Sequence, residues 1–145
     1  MNRVIRFRGK RKDSKEWVYG DLHTLCGHIH IHVTPFDKYN IDRATVGQFT
    51  GLKDKNGRDI YEGDILRSDA YPYSCNEEKD NYYAVVWWSD DNAAFVAETR
   101  VSVRSDVRGI SNGNCEYLGE LLLKEEDSAF EVIGNIHDTP ELLRP

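Results

Sequence analysis

The sequence predicts a mainly β protein, because several of its segments combine strand periodicity with turn residues. Asn56 and Gly57 tolerate positive φ and separate two segments with alternating apolar residues, which predicts a two-residue hairpin turn. The nearly continuous apolar run 82–88 predicts a central strand with both faces covered, paired with a second strand over 93–98. The Glu-Gly-Asp run at 62–64 precedes an apolar pair, a pattern typical of the start of a strand in a small β-barrel.

The length and composition predict a single soluble domain. At 145 residues the chain can bury about 68–70% of the surface of its unfolded form. No apolar run approaches the ~20 residues that span a bilayer, so no membrane role is expected. The basic N-terminus lacks the apolar segment of a secretory signal, which predicts a protein of the cytoplasm.

The cysteines and charges exclude some functions. Cys26, Cys75 and Cys115 are widely spaced without a C-x-x-C pair, so free thiols are expected and no cofactor is predicted. Residues 1–67 carry 13 Lys and Arg against 9 Asp and Glu, whereas residues 68–145 carry 6 against 16. This distribution argues against a generic nucleic-acid binder but leaves room for a local basic patch.

The N-terminal segment predicts a basic β-hairpin. Strand-like residues 3–8 and 16–22 flank a polar turn, and seven of the first fifteen residues are Lys or Arg. A solvated strand face is the favoured interpretation. The alternative is a nucleic-acid site with an aromatic stacking surface. Its predicted contacts are Arg3, Arg6, Arg8, Lys10, Arg11, Lys12 and Trp17, with Lys15 and Tyr19 as further candidates.

Residues 26–33 alternate histidine with aliphatic side chains and predict a strand with one wet and one buried face. The wet face has His28, His30 and His32, and the buried face has Ile29, Ile31 and Val33. Because the outer histidines lie about 13 Å apart along a strand, at most two of the three could bind one ion. A third ligand would have to come from elsewhere, with Cys26 and His23 nearest in the chain. A solvated or pH-sensitive face is favoured over a metal site.

The polar, tyrosine-bearing stretch 68–81 predicts a long loop, and such loops are often functional. Aromatic side chains are enriched at protein interfaces, so this region is the predicted contact with a protein partner. Its candidate residues are Tyr71, Tyr73, Tyr82 and Tyr83.

The remaining segments complete the expected architecture. Residues 34–40 contain Pro, Asp and Asn and predict a loop. Leucines at helical spacing over 118–124 predict a short helix, and 129–136 returns to strand. Thr139 before a proline predicts an N-cap and a helical turn through Leu143.

Two separated motifs resemble the YopX protein family of phages and prophages. They are TVGQFTGLKDKNGRDIYEGDIL at 45–66 and EVIGNIHDTPELL at 131–143, and an N-terminal strand with Phe7 and the segment 17–22 agree in order. The resemblance implies one domain over 1–145 that contains an SH3-like barrel. Within that domain, 1–44 would form the N-terminal hairpin region and 45–145 the barrel region, with insertions near 68–81 and 99–128. The resemblance to the YopX family implies no catalytic residue.

The leading functional prediction is a non-enzymatic binding or adaptor module with an unidentified protein partner. The first alternative is nucleic-acid binding by the basic hairpin. The second alternative, a metal-dependent enzyme built on His28, His30 and His32, is disfavoured because no nucleophile-base arrangement or phosphate loop is readable. An exposed strand edge would also allow homo-oligomers.

Overall fold

The computed structural model describes residues 2–68, 82–99, 115–123 and 130–143. The described residues form eleven strands, one α-helix and two short 3-10 helices, which confirms the mainly β prediction. The chain divides into two compact units, Met1–Gly51 (unit 1) and Leu52–Pro145 (unit 2). The predicted single domain, with its subdivision after residue 44, stays a prediction.

Unit 1 is an antiparallel sheet in which the first four strands form a meander and the fifth strand pairs with the first. Its elements are β1 (Phe7–Lys10), β2 (Trp17–Leu25), β3 (His28–His32), β4 (Lys38–Asn40), a 3-10 helix (Arg43–Thr45) and the first part of β5 (Gly47–Lys53). Within unit 1 the hydrogen-bonded order is β4-β3-β2-β1-β5, so the predicted N-terminal hairpin is confirmed. Its first strand was predicted over residues 3–8 but begins at Phe7 and continues to Lys10, because Gly9 and Lys10 pair with β2. The prediction of a loop throughout 34–40 was wrong. Tyr39 pairs with Ile31, a cross-strand partner that the local Pro and Asp content does not reveal.

The chain after β4 returns to the end of β1. Lys12 N donates to Asn40 O at 3.0 Å and Asp42 N donates to Lys10 O at 2.9 Å. Ile31 and Ile41 are buried on one side of this sheet. A Cβ at Gly9 would clash with the Ile41 side chain, so glycine is required for this close approach.

Unit 2 contains a five-stranded antiparallel sheet. Its elements are the end of β5, β6 (Asp59–Tyr61), β7 (Asp64–Ser68), β8 (Tyr82–Ser89), β9 (Ala94–Thr99), β10 (Cys115–Tyr117), α1 (Leu118–Leu123), β11 (Glu131–Asn135) and a 3-10 helix (Pro140–Leu143). The order β10-β9-β8-β7-β11 makes β8 the central strand. The predicted β8–β9 hairpin, short helix and C-terminal helical turn are therefore confirmed.

One face of this sheet packs against α1 and Phe130 to form the core of unit 2. The buried residues of this core are Ile60, Leu66, Ala84, Val86, Ala97, Leu118, Leu121, Phe130 and Val132. Within the described ranges, neither α1 nor the 3-10 helices are long and apolar enough to cross a bilayer.

The turn between β5 and β6 differs from its prediction. Only Gly57 has positive φ (+81°), and Asn56 does not, so the predicted two-residue turn with positive φ at both positions was wrong. Gly57 N donates to Asp54 O and Asp54 N donates to Arg58 O, which closes a three-residue loop. The Asp54 carboxylate accepts hydrogen bonds from the backbone of Asn56 and Arg58, and these bonds favour the longer loop.

Candidate binding surfaces

Basic side chains of β1 and the histidine side chains of β3 lie on the same face of the unit 1 sheet. Directly paired residues of antiparallel strands point to the same side. Arg8 pairs with Tyr19, and His32 pairs with Asp21 on the same strand, β2. Because Tyr19 and Asp21 are two residues apart, they share that side. The outer face of unit 1 is defined by Arg8, Lys10, Trp17, Tyr19, Asp21, His23, Leu25, His28, His30, His32, Lys38 and Asn40.

Cations cover the aromatic rings at the β1 end of this face. The guanidinium of Arg8 lies 4.7 Å from the Trp17 ring centroid, and Lys10 Nζ lies 5.4 Å from the same centroid. Arg6 stacks on Phe49 in the same way, at 5.1 Å. Arg8 is only 4% exposed, so its charge serves this cation–π packing rather than an accessible phosphate site.

Arg11 is held by partners within unit 1. It donates two hydrogen bonds to Asp13, of 2.9 and 2.7 Å, and its guanidinium stacks 4.3 Å from the Tyr39 centroid. The hydrogen bond to Asp13 raises the pKa of Arg11 and, reciprocally, lowers the pKa of Asp13. Among the other predicted nucleic-acid contacts, Arg3 and Lys12 are exposed.

Four histidines meet at the other end of the outer face. His23 pairs directly with His30 across β2 and β3, and the rings of His23 and His32 are 5.5 Å apart between centroids, edge to face. Burial lowers the pKa of His30, and the charges of Lys38 and the neighbouring histidines lower it further. The sequence identified the β3 histidines and gave His23, with Cys26, only as a candidate third ligand, because strand register is not readable from spacing.

The buried side of β3 matches its prediction at Ile31 and less fully at Ile29, which is half-buried. Ile31 is fully buried, but Val33 is 47% exposed, so its placement on the buried face was wrong. The strand ends at His32, and Val33 N donates to Asp37 O in the following turn. Across the described residues, no three His, Cys, Asp or Glu side chains are grouped so that they could hold a metal ion.

The predicted tyrosine surface is described only in part. Tyr71 and Tyr73 lie outside the described residues. Tyr82 begins β8, and Tyr83 is half-buried where it pairs with Arg67 of β7.

A different aromatic surface lies at the opposite end of β8, and we call it the aromatic hairpin end. It comprises Trp87, Trp88, Phe95 and Tyr117. Trp87 and Tyr117 both pair with Val96, so they flank it on one face, while Trp88 contacts Phe95 edge to face at 5.1 Å on the other. Trp87 is 36% exposed and Trp88 is 44% exposed. The prediction that β8 is covered on both faces was therefore wrong at this end.

The fold and these surfaces define a mainly β protein with two antiparallel sheets, one outer face rich in histidine and cations, and one exposed aromatic end. The sequence matches the model of the family described as YopX protein over residues 6–144, and the chain belongs to the YopX family. The crystal structure of protein EF1440 from Enterococcus faecalis is similar, with a TM-score of 0.55 and 24% sequence identity over 99% of this chain and 100% of that chain. That likeness shows the fold. The comparison with curated proteins found no match.

Proposed function

We propose that the protein is a non-enzymatic binding or adaptor module of a phage or prophage, which acts in the cytoplasm of the bacterial host and contains an SH3-like barrel. Its contact with a protein partner is the aromatic hairpin end. Membership of the YopX family supports the mobile-element origin. The observation that carries the binding proposal is the exposure of aromatic side chains at one end of the sheet, Trp87 and Tyr117 on one face and Trp88 on the other.

Exposed tryptophan and tyrosine side chains are strong candidates for an interface. They bury large areas at low entropic cost and dominate the energetic centres of protein interfaces. At about 25 cal/mol per Å², covering the exposed part of one indole contributes about 1–2 kcal/mol. Strand pairing on both sides of Val96 holds Trp87 and Tyr117 in place before a partner arrives, so little ordering remains to oppose binding.

The charges around the aromatic hairpin end indicate the chemistry of the partner. Asp90 and Asp91 are exposed in the turn between β8 and β9. A partner that offers an apolar pocket bordered by Lys or Arg would match both features. Tyr82, which connects to the predicted tyrosine loop, lies at the other end of β8 from Trp88, so the two surfaces can be tested separately.

The test is affinity capture from extract of the infected host, followed by reconstitution with each purified candidate partner. We expect a Trp87→Ser/Trp88→Ser variant to bind the partner at least about tenfold more weakly, since interface tryptophans commonly contribute 2 kcal/mol or more. Phe36→Ser is the matched control, because Phe36 is a 94% exposed aromatic residue in unit 1. If the partner binds both variants as tightly as it binds the native chain, the aromatic hairpin end is not the contact. Loss of binding in Tyr71→Ser/Tyr73→Ser alone would assign the site to the predicted loop instead.

Nucleic-acid binding by unit 1 is the second candidate function, and the charge division between the units favours it. Residues 1–51 carry nine Lys and Arg against five Asp and Glu, whereas residues 52–145 carry ten against twenty. The accessible cations include Lys12 and Lys38, and Tyr19 is an exposed aromatic on the outer face.

Fluorescence anisotropy with short single- and double-stranded DNA would test this candidate at low and moderate salt. Binding through phosphates should weaken steeply as salt rises and should fall in a Lys12→Gln/Lys38→Gln variant. Nucleic-acid binding by unit 1 would be refuted if the affinity changed neither with salt nor in the variant, or if no binding occurred at micromolar protein.

A further inference from the structure

The outer face of unit 1 brings the rings of two histidines from different strands into edge-to-face contact. His23 lies on β2 and His32 on β3, and their ring centroids are 5.5 Å apart with the ring planes inclined at 70°. The two histidines are offset by two positions in the register of β2 and β3, because His23 pairs with His30 and His32 pairs with Asp21. The pair was not evident from the sequence, in which the two residues stand nine positions apart.

The separation of the two rings matches that of two imidazoles on a shared metal ion. A metal–nitrogen bond of about 2.0–2.1 Å places the centroid of each ring about 3.2 Å from the ion. At a tetrahedral angle the two centroids are then about 5.2 Å apart. The observed 5.5 Å differs from this by a few tenths of an ångström, which small side-chain rotations can supply.

We propose that His23 and His32 form a two-histidine site for a divalent transition-metal ion such as Ni²⁺ or Zn²⁺. Imidazole nitrogen is a preferred ligand of both ions, and water fills the remaining coordination positions. The paired strands β2 and β3 fix the two backbones, so binding requires little rearrangement. This site belongs to unit 1 alone and does not depend on the proposed protein contact.

The neighbours of the pair limit the strength and the kind of site. Asp21 pairs with His32 on the same face and adds a negative charge, while Lys38 pairs with His32 from the other side and opposes a cation. The other titratable side chains of β3 on this face are His28 and His30. Only two ligands come from the protein, which fits reversible binding and not a closed structural site.

Calorimetric titration of the untagged full chain with Ni²⁺ and, separately, Zn²⁺ at pH 7.5 would test the site. All proteins would carry Cys26→Ser, because Cys26 is an exposed free thiol on the same hairpin and could bind either ion. We expect one ion per chain, and a loss of affinity of at least about tenfold in His23→Asn and in His32→Asn. His28→Asn is the matched control, since His28 lies on the same strand but pairs with Leu25, and it should bind like the parent.

A second readout separates metal ligation from a general charge effect. Substoichiometric Ni²⁺ should broaden the imidazole NMR signals of His23 and His32 before those of His28, since the paramagnetic ion acts at short range. Circular dichroism of each variant would verify that the fold is retained. The absence of saturable binding, an equal loss in His28→Asn, or full binding in His32→Asn would each overturn the proposal. Loss in His30→Asn with retention in His32→Asn would also overturn it, because His30 would then be the partner of His23.

Discussion

Val132 donates its backbone N–H to Oδ2 of Asp54 at 3.0 Å, across 78 positions of sequence. The other oxygen, Oδ1, accepts from the backbone of Asn56 at 2.8 Å and of Arg58 at 2.9 Å. One buried carboxylate therefore shapes the β5–β6 turn and anchors β11 beside it. The two sequence motifs that carried the resemblance to the YopX family meet at this bond, which indicates that Asp54 has a structural role.

Asp54→Ala should lower the free energy of unfolding by about 3 kcal/mol, because three backbone donors lose a charged acceptor and that of Val132 is buried. Urea denaturation would measure the change. Lys53→Gln is the control in the same hairpin. It removes an exposed ion pair with Asp59 and should cost less than about 1 kcal/mol. Equal stability of the two variants would contradict the role of Asp54.

Gly134→Ala should destabilise the protein by about 1–3 kcal/mol through overpacking. Its new Cβ would clash with Oγ1 of Thr139, which accepts a hydrogen bond from Asn135 N at 3.1 Å. Gly119→Ala tests the opposite case, because a Cβ there meets open space in α1. That variant should gain about 0.5–1 kcal/mol from helix propensity. Thermal unfolding of both would show opposite shifts in Tm, and a shared sign would refute the prediction.

Ile31→Ala should cost about 2–5 kcal/mol, because Ile31 is fully buried inside unit 1 and its truncation leaves a cavity. Val33→Ala removes a neighbouring aliphatic side chain that is exposed, and should change stability by no more than about 0.5 kcal/mol. Chemical denaturation of both variants gives the comparison. Similar losses would mean that Val33 is buried after all.

The pKa of Asp13 should rise towards its ordinary value of 3.8 in Arg11→Gln, because the hydrogen bond from Arg11 is the largest cause of its lowering. NMR titration of the Asp13 carboxyl would measure the shift. A carboxyl with a lowered folded pKa binds fewer protons than in the unfolded chain. Its contribution to stability is therefore present above pH 3.8 and is lost as the pH falls through the folded value. An unchanged Asp13 pKa in the variant would show that Arg11 is not the cause.

Local chemistry accounted for much of the fold. Period-two alternation placed Ile31 inside and the β3 histidines outside, and Thr139-Pro140 marked the final helical turn. These features depend on interactions within a few residues, so the sequence displays them directly. Where a distant partner decided the structure, as with Tyr39 opposite Ile31, the local pattern was misleading.

The sequence by itself determined the mainly β class, most strand positions and the membership of a family, because alternation, turn residues and motif order are properties of neighbouring residues. Only the tertiary structure decided the register of the strands and the pairings between strands that are not joined as hairpins, such as β1 with β5 and β7 with β11. That register placed His23 beside His32, covered Trp17 with Arg8 and Lys10, and left Trp87 and Trp88 exposed at a strand end. The physical reason is that pairing between strands is set by the burial of a whole sheet face, which sums over residues far apart in the chain.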